Sequence, residues 1–127
     1  MTVVRDTVYA VAGWTDIPGH YLDTVESYTE GAGWKIEPEM RLPSAITNHC
    51  SVSLKDKELI VIGGHNGEAI TSEVLSFDVE NLAGGWTALP NINTRREWHA
   101  CDTGYYEGQL GIFVTGGKAY NLSLIHI

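Results

Sequence analysis

The sequence predicts an all-β fold assembled from repeated antiparallel units, and three observations carry that prediction. Apolar stretches end in small residues at a constant interval, short β-rich runs alternate with turn formers, and no segment sustains the 3.6-residue periodicity of a helix. The chain has 127 residues, of which 43% are hydrophobic and 9% aromatic, enough for a core and too much for a disordered segment.

The interval is read from several independent markers. Three segments superimpose: Val8-Tyr-Ala-Val-Ala-Gly-Trp14, Leu59-Ile-Val-Ile-Gly-Gly-His65 and Ile112-Phe-Val-Thr-Gly-Gly-Lys118. Their last glycines, Gly13, Gly64 and Gly117, lie 51 and 53 residues apart. Glu26-Ser-Tyr28 precedes Gly31-Ala-Gly-Trp34, as Leu75-Ser-Phe77 precedes Ala83-Gly-Gly-Trp86, and the two tryptophans are 52 residues apart. Pro38 and Pro90 follow, then His49-Cys50 and His99-Ala-Cys101, with the histidines 50 apart.

This pattern resembles the kelch repeat, in which a hydrophobic strand ends in a double glycine and an aromatic and then a tryptophan follow. The resemblance runs from about Thr2 to Gly117, and a period of about 50 residues fits kelch blades. It implies four antiparallel strands per blade, with blades arranged radially around a channel.

The elements follow in order. Thr2-Val-Val4 reads as the end of an inner strand. In the second repeat an inner strand spans His49 to Leu54, a second Glu58 to Ile62, a third Glu73 to Asp78 and an outer one Trp86 to Ala88. Lys55-Asp-Lys57 and Glu107-Gly-Gln109 read as tight hairpin turns. The near-continuous apolar run Leu59-Ile62 is the signature of a strand buried on both faces, and the glycines after it permit close backbone approach or positive φ.

Propellers close with about four to eight blades, whereas 127 residues at this period make about two and a half. The expected architecture is an all-β, kelch-type β-propeller fragment over residues 1–117, open and incomplete at both ends, with blade boundaries near 48 and 98. A non-repeat tail, residues 118–127, follows. One choice of codons for Leu122-Ser-Leu-Ile-His-Ile127 spells a sequencing-library adapter, so these six residues are expected to be foreign to the repeat.

Eight basic against sixteen acidic residues give a net charge of −8, the wrong sign for gripping phosphates, so nucleic acid and anionic membrane are not expected partners. No run approaches the roughly 20 apolar residues that span a bilayer. The amino-terminal segment does not read as a secretory signal, and Cys50 and Cys101 are therefore read as reduced thiols of a cytoplasmic protein.

Candidate chemistry is sparse. His49 and His99 occupy matching places, which marks a packing and hydrogen-bonding device of the repeat, since metal ligands converge at short spacing. Scattered serines lack a Gly-x-Ser-x-Gly turn. The expectation is no enzyme, no metal and no cofactor. Trp34 and Trp86, with Tyr28 and Phe77, read as aromatics that wedge neighbouring blades together.

Function is expected where the repeats differ, in loops that follow each double glycine and each tryptophan and emerge at one end. Those loops nominate Trp14, His20, Tyr21, His65, Asn66, Arg41, Arg95, Arg96 and Trp98 as partner-binding residues. Two adjacent arginines beside an aromatic in an acidic chain suit an acidic peptide or protein partner, one arginine forking onto a carboxylate.

The closest resemblance is to the propeller of kelch-like proteins, which implies a protein-protein interaction module that presents substrates to a cullin-based ubiquitin ligase through further domains. Asn93-Thr-Arg-Arg-Glu-Trp-His99 resembles the family loop that carries a ligand-contacting arginine, whereas Ser44-Ala-Ile-Thr-Asn-His49 of the preceding repeat has none. The resemblance also extends to actin-binding kelch proteins. It extends to copper radical oxidases, of which Cys101 with Tyr105 and Tyr106 is the one local echo.

Overall fold

The computed structural model describes residues 1–16 and 20–118, with the backbone of 125–126. It is all-β. The first sheet contains β1 (Thr2–Val4), β2 (Thr7–Trp14), β3 (Tyr21–Thr29) and β4 (Gly33–Ile36), paired antiparallel in chain order. The second repeats that meander with β5 (Cys50–Leu54), β6 (Glu58–Ile62), β7 (Val74–Asp78) and β8 (Trp86–Leu89). The third comprises β9 (Ala100–Tyr106), β10 (Gln109–Thr115) and the two-residue β11 (Ile125–His126). Among the described residues no helix is long and apolar enough to cross a membrane.

The first sheet is more complete than the sequence implies. Thr2–Val4 is short, yet it pairs with β2 in full register and completes four strands. The remaining tail residues, and with them most of the proposed foreign segment, lie outside the described residues.

Turn chemistry sets the hairpins. Lys55 and Asp56 both take the left-handed backbone, with φ 56° and 48°, and the Lys57 N–H donates to the Leu54 carbonyl at 3.2 Å. Glu107 and Gly108 are also left-handed, at 52° and 78°. Two consecutive positive φ values match the right-handed twist of the strands they join.

The sheets stack through two apolar clusters, and β6 supplies both. Leu59 and Val61 face the first sheet, where they join Val4, Val11, Val25 and Phe77. Ile60 and Ile62 face the third, with Val52, Val74, Ile112 and Val114. The period of two along a strand sends alternate side chains to opposite faces, so a strand covered on both sides must be apolar throughout.

The aromatic wedge is present in one repeat and open in the other. Phe77 is fully buried, its ring 5.3 Å from Trp86, and the Trp86 indole N–H donates to the Met40 carbonyl at 2.8 Å. Tyr28 and Trp34 form the matching pair at 5.3 Å, but Trp34 is 50% exposed. Both clusters lie between sheets, and among the described residues no sheet covers the outer face of the first.

Polar contacts reinforce the first seam at its other end. Arg5 pairs with Glu80, and its backbone N–H and Nε donate to Asp56. Thr2 and Ser51 share a hydroxyl hydrogen bond.

At the second seam the reading of free thiols is corrected: Cys50 of β5 and Cys101 of β9 form a disulfide. The repeat puts them on neighbouring inner strands with Cα atoms 6.2 Å apart, inside the reach of a disulfide. Closing a loop of 51 residues stabilises by about 4 kcal/mol through the unfolded chain in the entropy model.

Burial at the seam makes an asymmetric prediction. Phe77→Ala should cost about 3–5 kcal/mol, whereas the repeat-matched Tyr28→Ala should cost about 1 kcal/mol or less. Urea unfolding of the two variants beside the parent chain, followed by tryptophan fluorescence, measures the difference.

Candidate partner-binding site

The loops that follow the double glycines meet those that follow the tryptophans. Thr47 and His65 exchange backbone hydrogen bonds of 3.0 and 2.8 Å, and Glu97 and Lys118 repeat the exchange at 3.1 and 2.7 Å. The Gly13 N–H donates to the Ile46 carbonyl at 2.9 Å, as the Gly64 N–H donates to the Arg96 carbonyl at 2.8 Å. Gly64 is obligatory there, because it adopts φ +101° and a Cβ would lie 2.7 Å from the Thr47 carbonyl oxygen.

The histidines hold these loops to the sheets. The His99 Nε2 bonds the Ile62 carbonyl at 2.9 Å, and His49 bonds the backbone of Val11 in the corresponding place. Burial pushes the His49 imidazole down to about 4, outweighing that bond, which favours the proton. Burial lowers His99 as well. Both therefore act as neutral structural groups.

Between the second and third repeats the loops enclose a cleft of about 650 Å³, lined by His65, Glu68, Ala69, Ile70, Arg95, Glu97 and Lys118. Glu97 is buried and accepts a hydrogen bond from Asn48 Nδ2 at 3.0 Å, so its carboxylate is fixed in place. Beside the cleft stands Trp98, 63% exposed, with the Lys118 ammonium 5.6 Å from its ring centroid. The Trp98 N–H donates to the Asn48 carbonyl at 2.9 Å.

Trp98 also sits in the left-handed region, at φ 55°, where the equivalent residue of the preceding repeat is Asn48 at φ 57°. Asparagine tolerates this conformation and a bulky aromatic does not.

The nominated residues separate into groups. Arg95 and His65 line the cleft, with Trp98 adjacent. Tyr21 approaches from the first sheet and meets the His65 ring edge-on at 6.0 Å. His65 Nδ1 accepts from the Gly67 N–H at 3.0 Å, and the Asn66 side chain caps its own turn by accepting from Glu68 and Ala69. Arg96 is 2% exposed and donates from Nη1 to the Gly116 carbonyl at 2.7 Å, so it braces the loop from inside. Arg41 pairs with Asp23 at 3.1 Å on the first sheet, away from the cleft. Trp14 and His20 are exposed on the first repeat.

Glu68, Ile70, Glu97 and Lys118 were missed. Lys118 had a signal: it occupies the place of Trp14 and His65 after the double glycine. The Cys101 sulfur is bonded to Cys50, and Tyr105 and Tyr106 lie exposed. Among the described residues no three His, Cys, Asp or Glu side chains gather as metal ligands would.

Compared with protein-family models and with curated proteins, the chain matches neither.

The buried histidines give the fold a signed pH dependence. The unfolded His49 imidazole titrates near 6.5 and the folded one near 4, so the unfolded state takes up the proton first as pH falls. The His49 contribution is complete above pH 6.5 and declines toward pH 4, and that of His99 has the same sign. Thermal midpoints measured across that window should fall with pH in the parent chain and fall less in His49→Gln.

Proposed function

We propose that this chain is part of a kelch-type β-propeller and serves as a non-catalytic protein-interaction module, taking an acidic peptide segment on its loop face without metal or cofactor. The observation that carries the reading is Trp98: a large aromatic, 63% exposed, in a left-handed backbone conformation that asparagine fills in the preceding repeat. Such strain costs on the order of 1–3 kcal/mol and collects at binding sites. An exposed aromatic beside cationic groups is a hot-spot composition.

In the finer form of the proposal the chain is the substrate-recognition propeller of a cytoplasmic adaptor for a cullin-based ubiquitin ligase. Support comes from the kelch-like spacing of the glycine, aromatic and tryptophan markers. Arg95 supplies the planar fork for a carboxylate, Lys118 a second positive charge, and Trp98 the apolar contact. His65 and Tyr21 extend the surface toward the first repeat.

A labelled hexaglutamate peptide, titrated into the full chain and followed by fluorescence anisotropy, tests the carboxylate-binding part. Arg95→Ala should weaken binding by about 1–3 kcal/mol with thermal stability unchanged, and Arg95→Lys should restore only part of it. Hexaglutamate affinity equal in the parent and Arg95→Ala chains would move the site elsewhere.

Trp98→Asn separates stability from binding. Relief of the backbone strain should raise stability by about 1 kcal/mol, while loss of the ring should weaken the peptide complex. Chemical unfolding and the same anisotropy titration read the two effects.

A further inference from the structure

The Cys50–Cys101 bridge stands next to the hydrogen bonds that close the cleft. Cys50 lies two residues after Asn48, whose side chain holds Glu97 and whose carbonyl accepts from Trp98. Cys101 lies three residues after Trp98. The bridge therefore ties β9, whose leading loop carries the cleft residues Arg95 and Glu97 and the adjoining Trp98, to β5, whose leading loop carries Asn48. Both cysteines are half-buried, within reach of a small reagent.

The matching seam between the first and second sheets has no such bridge. There Thr2 and Ser51 meet through hydroxyls, one residue from the Cys50 position. The Gly13-to-Ile46 and Gly64-to-Arg96 hydrogen bonds are repeat equivalents, so the two seams differ in covalent linkage while sharing backbone geometry.

We propose that Cys50 and Cys101 form a redox latch that sets the partner affinity of the cleft, high when bridged and low when reduced. The inference rests on the peptide-binding reading above for its consequence, and on the seam geometry for its mechanism. Oxidation proceeds by thiol–disulfide exchange with a low-molecular-weight disulfide. One cysteine thiolate attacks it, forming a mixed disulfide and releasing one thiolate. The second cysteine thiolate then attacks the protein sulfur of that mixed disulfide and expels the other. The two cysteines lose two protons and two electrons, and the small disulfide becomes two thiols. Excess small thiol reverses both steps.

Reduction leaves the sheets stacked through Ile60, Ile62, Ile112 and Val114 but lets the inner strands part at the cleft end. Glu97 and Trp98 then lose their fixed distance from Asn48.

Amide hydrogen exchange of the full chain, bridged and reduced, tests the mechanism. Gly64 and Trp98 amides should exchange at least about tenfold faster on reduction, while the Gly13 amide keeps its rate. The double variant Cys50→Ser/Cys101→Ser should behave as the reduced chain under either condition. Hexaglutamate affinity should fall at least about fivefold in the reduced and double-serine forms. Equal exchange at Gly64 and Trp98 in both states, or equal peptide affinity in both, overturns the latch. Loss of Gly13 protection in parallel overturns it too, because the bridge would then hold the whole fold. Failure of hexaglutamate to bind either state would sink the binding reading, leaving the exchange rates to decide whether the bridge governs the seam.

Discussion

Everything in this fold depends on β6 being buried on both sides. Leu59 and Val61 belong to one seam, Ile60 and Ile62 to the other, and four residues thereby couple three sheets. A four-stranded sheet has two faces and little edge, so it becomes stable when both faces are covered. The arrangement explains why the most hydrophobic stretch of the chain is also its most regular.

Several polar side chains at the seams end on backbone carbonyls. His49 and His99 reach back to the strand of the preceding repeat, Arg96 reaches the Gly116 carbonyl, and the Trp86 indole reaches that of Met40. Buried donors without such acceptors would each cost a few kcal/mol. The two histidine bonds recur with the period while the side chains around them vary. Asn48 and Trp98 share a backbone conformation and almost nothing else.

Much of the fold was legible because the seam is a repeated problem with a repeated solution. The strands expected at His49–Leu54, Glu58–Ile62 and Glu73–Asp78 form at Cys50–Leu54, Glu58–Ile62 and Val74–Asp78. What the period could not convey is lateral neighbourhood. Free thiols were expected because the amino-terminal segment does not read as a secretory signal, while the approach of the two inner strands is hidden by their separation in sequence. Tyr28 and Trp34 were expected in a core because they occupy the same repeated positions as Phe77 and Trp86, yet only the latter pair packs into it. Arg95 and Arg96 look alike in the chain, yet the alignment held the answer: Arg96 takes the place of Ile46, a buried residue, whereas Arg95 takes that of Ala45. The cleft itself was harder to see, since Glu68 and Lys118 come together only through the stacking of loops from two repeats.

The meander order of the sheets has a kinetic consequence. Within the first two sheets every strand pairs with its immediate predecessor in the chain, so their hydrogen-bonded ladders close loops of a few to about a dozen residues. Contacts between sheets join residues about one period apart or more: Val4 and Leu59 share a cluster across 55 residues, and Arg5 and Glu80 pair across 75. Chain-entropy cost rises with that separation, and search time rises with it. Ladder formation is thus local and quick, stacking distant and slow. As synthesis proceeds from the amino terminus, the first sheet can complete its ladder before Leu59 and Val61 arrive to cover it, and for that interval its apolar face is held open by nothing but the rate of elongation.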